Sequence, residues 1–111
     1  YTHWAGDSNQ DHIATFKATM AAARYVPNVF CYEQIPVPRH TENEMTINYY
    51  SDITEYMEQK IKVAECHKSQ IKKYKKAGFD VPHRLRVLGE FRGIQANCGY
   101  AEGFHLIKKV S

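Results

Sequence analysis

Asp11-His12 closes the run Gly6-Asp7-Ser8-Asn9-Gln10-Asp11-His12 and sets a carboxylate beside an imidazole at the entrance to an amphipathic helical pattern. An imidazole in that position can ligate a transition metal or move a proton near neutral pH. Asp7 or Ser8 can cap the helix by accepting backbone N–H bonds, and Ile13, Phe16 and Met20 recur behind it at helical spacing. A catalytic zinc site usually draws three protein ligands and keeps a position for water, so one histidine does not complete it. From these residues alone, a capped surface helix and one corner of a metal site both stay open.

The elements that must position this motif follow from the punctuation of the chain. Residues near 10–25 read as a helix, and Pro27-Asn28 breaks it before a strand over Val29 to Glu33. Ile35-Pro36-Val37-Pro38 lacks the donors of a sheet interior, so a loop carrying His40 runs on to Glu44. Met45 to Tyr50 alternates like a short strand. Ser51-Asp52 or Thr54 then caps one long helix, with Ile53, Met57, Ile61, Ala64, Ile71 and Tyr74 on its apolar face and Gly78 as its left-handed stop. Asp80 and Pro82 open a further helix to about Asn97, and Tyr100 to Val110 reads as a final strand. Alternating strands and helices predict an α/β layered architecture with a mostly parallel sheet, whose ligand sites lie at the carboxyl ends of strands.

Composition sets bounds without choosing a chemistry. The 111 residues, 43% hydrophobic, suit one modest domain, and 15 basic against 12 acidic residues give a net charge of only +3. No apolar run approaches the roughly 20 residues that cross a bilayer, so no transmembrane segment is expected. Lys68, Lys72, Lys73, Lys75 and Lys76 cluster at one helix end, which a helix dipole and solubility already favour, and no nucleic-acid partner is expected from them. Cys31, Cys66 and Cys98 are odd in number and form no Cys-x-x-Cys pair, which points to a reducing, cytoplasmic setting and to neither a disulfide framework nor a cysteine zinc cluster. Residue 1 is Tyr and no signal-peptide pattern follows it, so the chain is expected to be the C-terminal portion of a larger domain.

Several short motifs lie in one order along the chain. They are Thr2-His3-Trp4-Ala5-Gly6-Asp7-Ser8-Asn9-Gln10-Asp11-His12, Tyr49-Tyr50-Ser51-Asp52-Ile53, Lys60, His67-Lys68-Ser69-Gln70, Arg92-Gly93 and Tyr100-Ala101-Glu102-Gly103-Phe104. Together they resemble the second half of the PIG-L (LmbE-like) N-acetylglucosaminyl deacetylases, over nearly the whole chain. The resemblance implies a Rossmann-like layered fold and zinc-dependent hydrolysis of the acetamide of an N-acetylated sugar conjugate. It implies that His12 is a metal ligand, that Asp11 orients the histidine the family places two residues earlier, and that this histidine stabilises the oxyanion or carries a proton. Here that position is Asn9, which can donate a hydrogen bond but cannot shuttle a proton.

A second departure is the absence of the family's first motif, Ala-His-Pro-Asp-Asp-Glu, from these residues. In the family it supplies the other two zinc ligands and the general base. The resemblance therefore implies a zinc site whose remaining ligands come from an upstream segment, and an isolated chain that is inactive. The competing function is a non-catalytic sugar-binding or assembly domain derived from the same family. Among the other polar groups, His3 could compensate for Asn9 or simply pack, His67 sits where a helix dipole favours it, and Glu102 could accept hydrogen bonds from Arg92.

Overall fold

The structure is a computed structural model that describes residues 1–35 and 44–111. The expected loop at 36–43, with His40, lies outside the described residues. Among the described residues, four α-helices and three strands follow in the order α1 (Gln10–Ala22), β1 (Asn28–Tyr32), β2 (Tyr49–Asp52), α2 (Met57–Glu65), α3 (Lys68–Lys76), α4 (Val81–Ala96) and β3 (Ala101–Lys109). Short 3₁₀ turns at Ala23–Tyr25 and Thr54–Tyr56 extend α1 and precede α2. The chain is therefore mixed helix and sheet. It divides into two compact units, Tyr1–Tyr50 with Gly103–Ser111 and Ser51–Glu102.

The sheet has the order β1-β3-β2, and its direction differs from the expectation. β1 pairs antiparallel with β3, with Cys31 opposite His105 and Tyr32 opposite Phe104. A bulge interrupts the register between Val29 and Phe30, whose partners are Lys108 and Leu106, so Ile107 is the extra residue. Along β3's other edge, Asn48 N–H donates to the Phe104 carbonyl at 3.0 Å and Ile53 N–H to the Tyr100 carbonyl at 2.9 Å, again antiparallel. The one parallel contact among the described residues is the bridge between Thr2 and Cys31. The mostly parallel sheet is thus corrected to a largely antiparallel one. Alternation of element type does not encode direction: a parallel pair needs a helical crossover, which α1 supplies between Thr2 and β1. Between β2 and β3 the chain passes through three helices instead of one.

In the unit containing the N-terminus, Val29, Phe30 and Cys31 are buried in succession, the pattern of a strand covered on both faces. Phe104 packs edge to face against Phe30 and Tyr49, and the Tyr1 ring stacks on Phe30 at 5.4 Å. Ile13, Phe16 and Met20 of α1 are half-buried, as their spacing predicts, and no residue of α1 is fully buried. Packing alone therefore holds this helix loosely. A run of hydroxyls adds direction: Thr2 donates to Thr19, Thr19 to the Thr15 carbonyl, and Thr15 to the Asp11 carbonyl, at 3.0, 2.8 and 2.8 Å.

The second unit has its own core of Ile53, Met57 and Ile61, with Leu85 and Tyr100 packed against it. The long helix expected here is two, α2 and α3. At Cys66 and His67 the hydrogen bonds tighten to the carbonyls three residues back, and His67 leaves helical geometry with ψ 58°. Cys and His are weak helix formers, and the apolar spacing of Ile61, Ala64, Ile71 and Tyr74 tolerates the break because each short helix keeps its own half-buried face. Gly78, at φ 78°, ends α3 as expected. Asp80 caps α4 by accepting from His83 N–H, and Asn97, at φ 59°, closes it. Near its end α4 comes so close to the following turn that a Cβ on Gly93 would lie 2.5 Å from the Gly99 carbonyl oxygen. Glu102 pairs with Lys60.

Candidate metal centre

The residues that could do chemistry converge at the start of α1, within the first unit. Thr2 N–H donates to the Phe30 carbonyl and Tyr32 N–H to the Thr2 carbonyl, at 2.9 and 3.1 Å. This parallel bridge sets His3 beside Tyr32, whose hydroxyl lies 2.9 Å from His3 Nε2 and 3.2 Å from Nδ1. A turn follows, with Asp7 N–H reaching the Trp4 carbonyl at 3.3 Å and the Trp4 indole lying across Gly6. The chain then enters α1 through two nested carboxylate and amide caps. Asp7 Oδ1 accepts from Asn9 N–H at 2.9 Å, and Asn9 Oδ1 accepts from Asp11 N–H at 2.8 Å. Asn9, and neither Asp7 nor Ser8, is the helix cap.

That arrangement leaves the second oxygen of Asp7 free to reach one turn onward. Asp7 Oδ2 lies 2.8 Å from His12 Nδ1. The Asp7 side chain is 9% exposed and that of His12 22%. The His3 ring stacks on the other side, 3.9 Å from the His12 ring and within 8° of parallel. His3, Asp7 and His12 each offer one potential ligand atom, and these atoms lie within 4.8 Å of one another. A metal ion can be held by such a group.

The electrostatics favour an ionised carboxylate. Burial pushes the Asp7 carboxyl up, but the Asn9 N–H, the hydrogen bond to His12 and the nearby imidazoles of His12 and His3 outweigh it, so the net shift is downward. Burial, and next the Asp7 charge, push the Tyr32 hydroxyl up, which keeps it a neutral donor. The donor set of two imidazoles and a carboxylate suits zinc or a similar divalent ion. The geometry qualifies this fit. Ligand lone pairs lie in the ring planes, and two parallel stacked imidazoles cannot aim them at one ion, so three-residue ligation requires one ring to turn. As arranged, His12 Nε2 is the ring nitrogen that Asp7 leaves open.

The three residues singled out in the sequence occupy distinct places. His12 is at the centre of the group. Asn9 is a cap exposed to solvent, with its amide N–H₂ left for other acceptors. Asp11 is exposed on the first turn, where its charge meets the helix dipole. In the sequence Asp7 is legible only as a possible cap, and Tyr32 only as part of a strand. The signal that finds Tyr32 is the parallel strand–helix–strand reading itself, because it puts the residue after Thr2 beside the residue after Cys31. His67, His83 and His105 lie elsewhere, His105 bonded to the Thr46 carbonyl at 2.9 Å.

No protein-family model matches this chain, and neither the curated proteins nor the solved structures compared with it include a match. Among the described residues no helix is long and apolar enough to cross a membrane.

Proposed function

We propose that this chain is the C-terminal part of a zinc-dependent N-deacetylase of the PIG-L (LmbE-like) kind, acting on N-acetylglucosamine-type sugar conjugates. The observation that carries the reading is the His12 imidazole, at a helix entrance beside the strand ends, held by a carboxylate on Nδ1 and open at Nε2. A Rossmann-like layered fold for the whole domain belongs to the same proposal and rests on the resemblance alone, since the described sheet is largely antiparallel. So does a cytoplasmic setting, which three free cysteines favour.

In this reading His12 holds the metal, and further ligands come from residues outside this sequence or from His3 after its ring turns. A bound zinc would supply Lewis acidity toward water and the amide carbonyl. The chain's own groups then orient and stabilise. Asp7 fixes the His12 ring. The Asn9 amide donates to the oxygen on which charge develops, a contact worth about 3 kcal/mol where such a donor has been removed from other enzymes. Asp11 adds negative charge at the helix start. The family's second carbohydrate-binding, non-hydrolytic possibility is favoured by one observation: Asn9 spends its carbonyl on capping and brings no titratable group.

The test measures zinc content and acetate release from an N-acetylglucosamine conjugate by the protein that carries this chain, beside His12→Ala. The expected result is about one zinc per chain and turnover, both lost in the variant. Turnover that survives His12→Ala would overturn the reading, and metal-free protein that binds the conjugate would establish the non-hydrolytic one.

A further inference from the structure

We infer that Asp7 is the positioning residue of the metal centre: its carboxylate holds His12 in the Nδ1–H tautomer and presents Nε2 to the metal. The inference rests on the metal-dependent reading of His12 and assigns a role that the sequence motif had given to no residue. Its basis is geometric. An ionised carboxylate only accepts hydrogen bonds, so at 2.8 Å the proton between Asp7 Oδ2 and a neutral His12 belongs to Nδ1. The lone pair then resides on Nε2. Asp7 is itself fixed, because its other oxygen takes Asn9 N–H and the side chain is nine-tenths buried. Rotation of the His12 ring is restricted further by His3, stacked at 3.9 Å and tied by the Tyr32 hydroxyl.

Asp11 does not compete for this role. Its side chain is exposed, and the contacts that place it run through its backbone, N–H to Asn9 and carbonyl from Thr15. The alternative use of Asp7, as a ligand, would put the ion between Oδ2 and Nδ1 in place of the proton. Ligands 2.0–2.1 Å from a tetrahedral zinc stand about 3.3 Å apart, wider than the present 2.8 Å, so the pair would have to open. A hydrogen bond needs no such movement. Carboxylate, histidine and metal in sequence is the usual way a protein fixes the tautomer of a histidine ligand.

The experiment is ¹⁵N NMR of the histidine rings in the full 111-residue chain, at a pH where His12 is neutral, first without metal and then titrated with Zn²⁺. The metal-free spectrum is expected to show His12 protonated at Nδ1. Asp7→Ala is expected to release the ring toward the Nε2–H form that free imidazoles favour, and to weaken Zn²⁺ binding about 10- to 100-fold. Asp7→Asn keeps the shape of the side chain but has one acceptor where Asp7 uses two; with that oxygen on Asn9 N–H its N–H₂ faces Nδ1, so it is expected to release the ring as Asp7→Ala does while keeping the turn, which separates loss of the bond from loss of structure. An Nε2–H tautomer in the metal-free protein, or a Zn²⁺-induced shift at Nδ1, overturns the inference. Because the tautomer is read with neither metal nor substrate, an Nδ1–H result beside absent deacetylation would fail the enzyme reading alone.

Discussion

Replacing Asp7 by alanine should destabilise the first unit in a manner that depends on pH. The carboxylate accepts one hydrogen bond from Asn9 N–H and one from His12, and bonds to a charged group contribute about 1.5–3 kcal/mol each. Asn9 is exposed, so water replaces the first bond at small cost. His12 is 22% exposed and recovers less. The net loss at neutral pH is therefore about 2 kcal/mol. The Asp7 carboxyl titrates below its ordinary value of 3.8 in the folded chain. Its contribution is thus fully present above the unfolded value and is lost as pH falls through the lower folded one. Urea denaturation, followed by selective excitation of Trp4, the chain's one tryptophan and a neighbour of the site, would be compared for both proteins at about pH 5 and about pH 2, a window that isolates the carboxylate. The difference should shrink at the acid end. A difference that is the same at both, or larger in acid, would refute the claim that the ionised carboxylate is what stabilises this turn.

Other perturbations separate the two units. Met57, 1% exposed at the centre of the second core, should cost about 2–5 kcal/mol when cut to alanine, read from helical circular dichroism in urea. Gly93→Ala should cost about 1–3 kcal/mol, because its methyl meets backbone, the Gly99 carbonyl, and has no flexible side chain to displace; a variant as stable as the parent would disprove that close approach. The Lys60 and Glu102 pair is about one-third exposed at both ends, so a double-mutant cycle should give less than about 1 kcal/mol of coupling, and less still in high salt. Under a thiol reagent, Cys66 should react first and Cys31, fully buried and with its thiol pushed up by burial, last.

Local punctuation was legible in the sequence and pairing direction was not. Asp80, Pro82 and Gly78 act where their backbone chemistry requires, since caps and stops depend only on a few neighbouring residues. β3 pairs antiparallel with β1, a direction that alternation of element types does not encode, and one broken apolar period at Cys66-His67 turned one expected helix into two. The candidate site was half legible for the same reason. His12 stands out in a motif, whereas Asp7 matters through a contact five residues on and Tyr32 through a strand partner 29 residues from His3.

The nested caps also show what asparagine does at this helix entrance. Asn9 has two duties, of which only the second needs its side chain: its backbone N–H anchors Asp7, and its Oδ1 receives Asp11 N–H. Asparagine is among the best residues for that cap, and the cap leaves its N–H₂ group pointing away from the bond it makes. Asn9 thus couples the shape of the turn to the aim of Asp7, and through Asp7 to His12. If His12 is the ligand, histidine at position 9 would add a proton carrier while weakening the cap that holds the carboxylate in place. The expected consequence is an Asn9→His variant with poorer metal retention even where its chemistry improves, an opposition that metal titration and turnover, measured on the same protein, would resolve into its two parts.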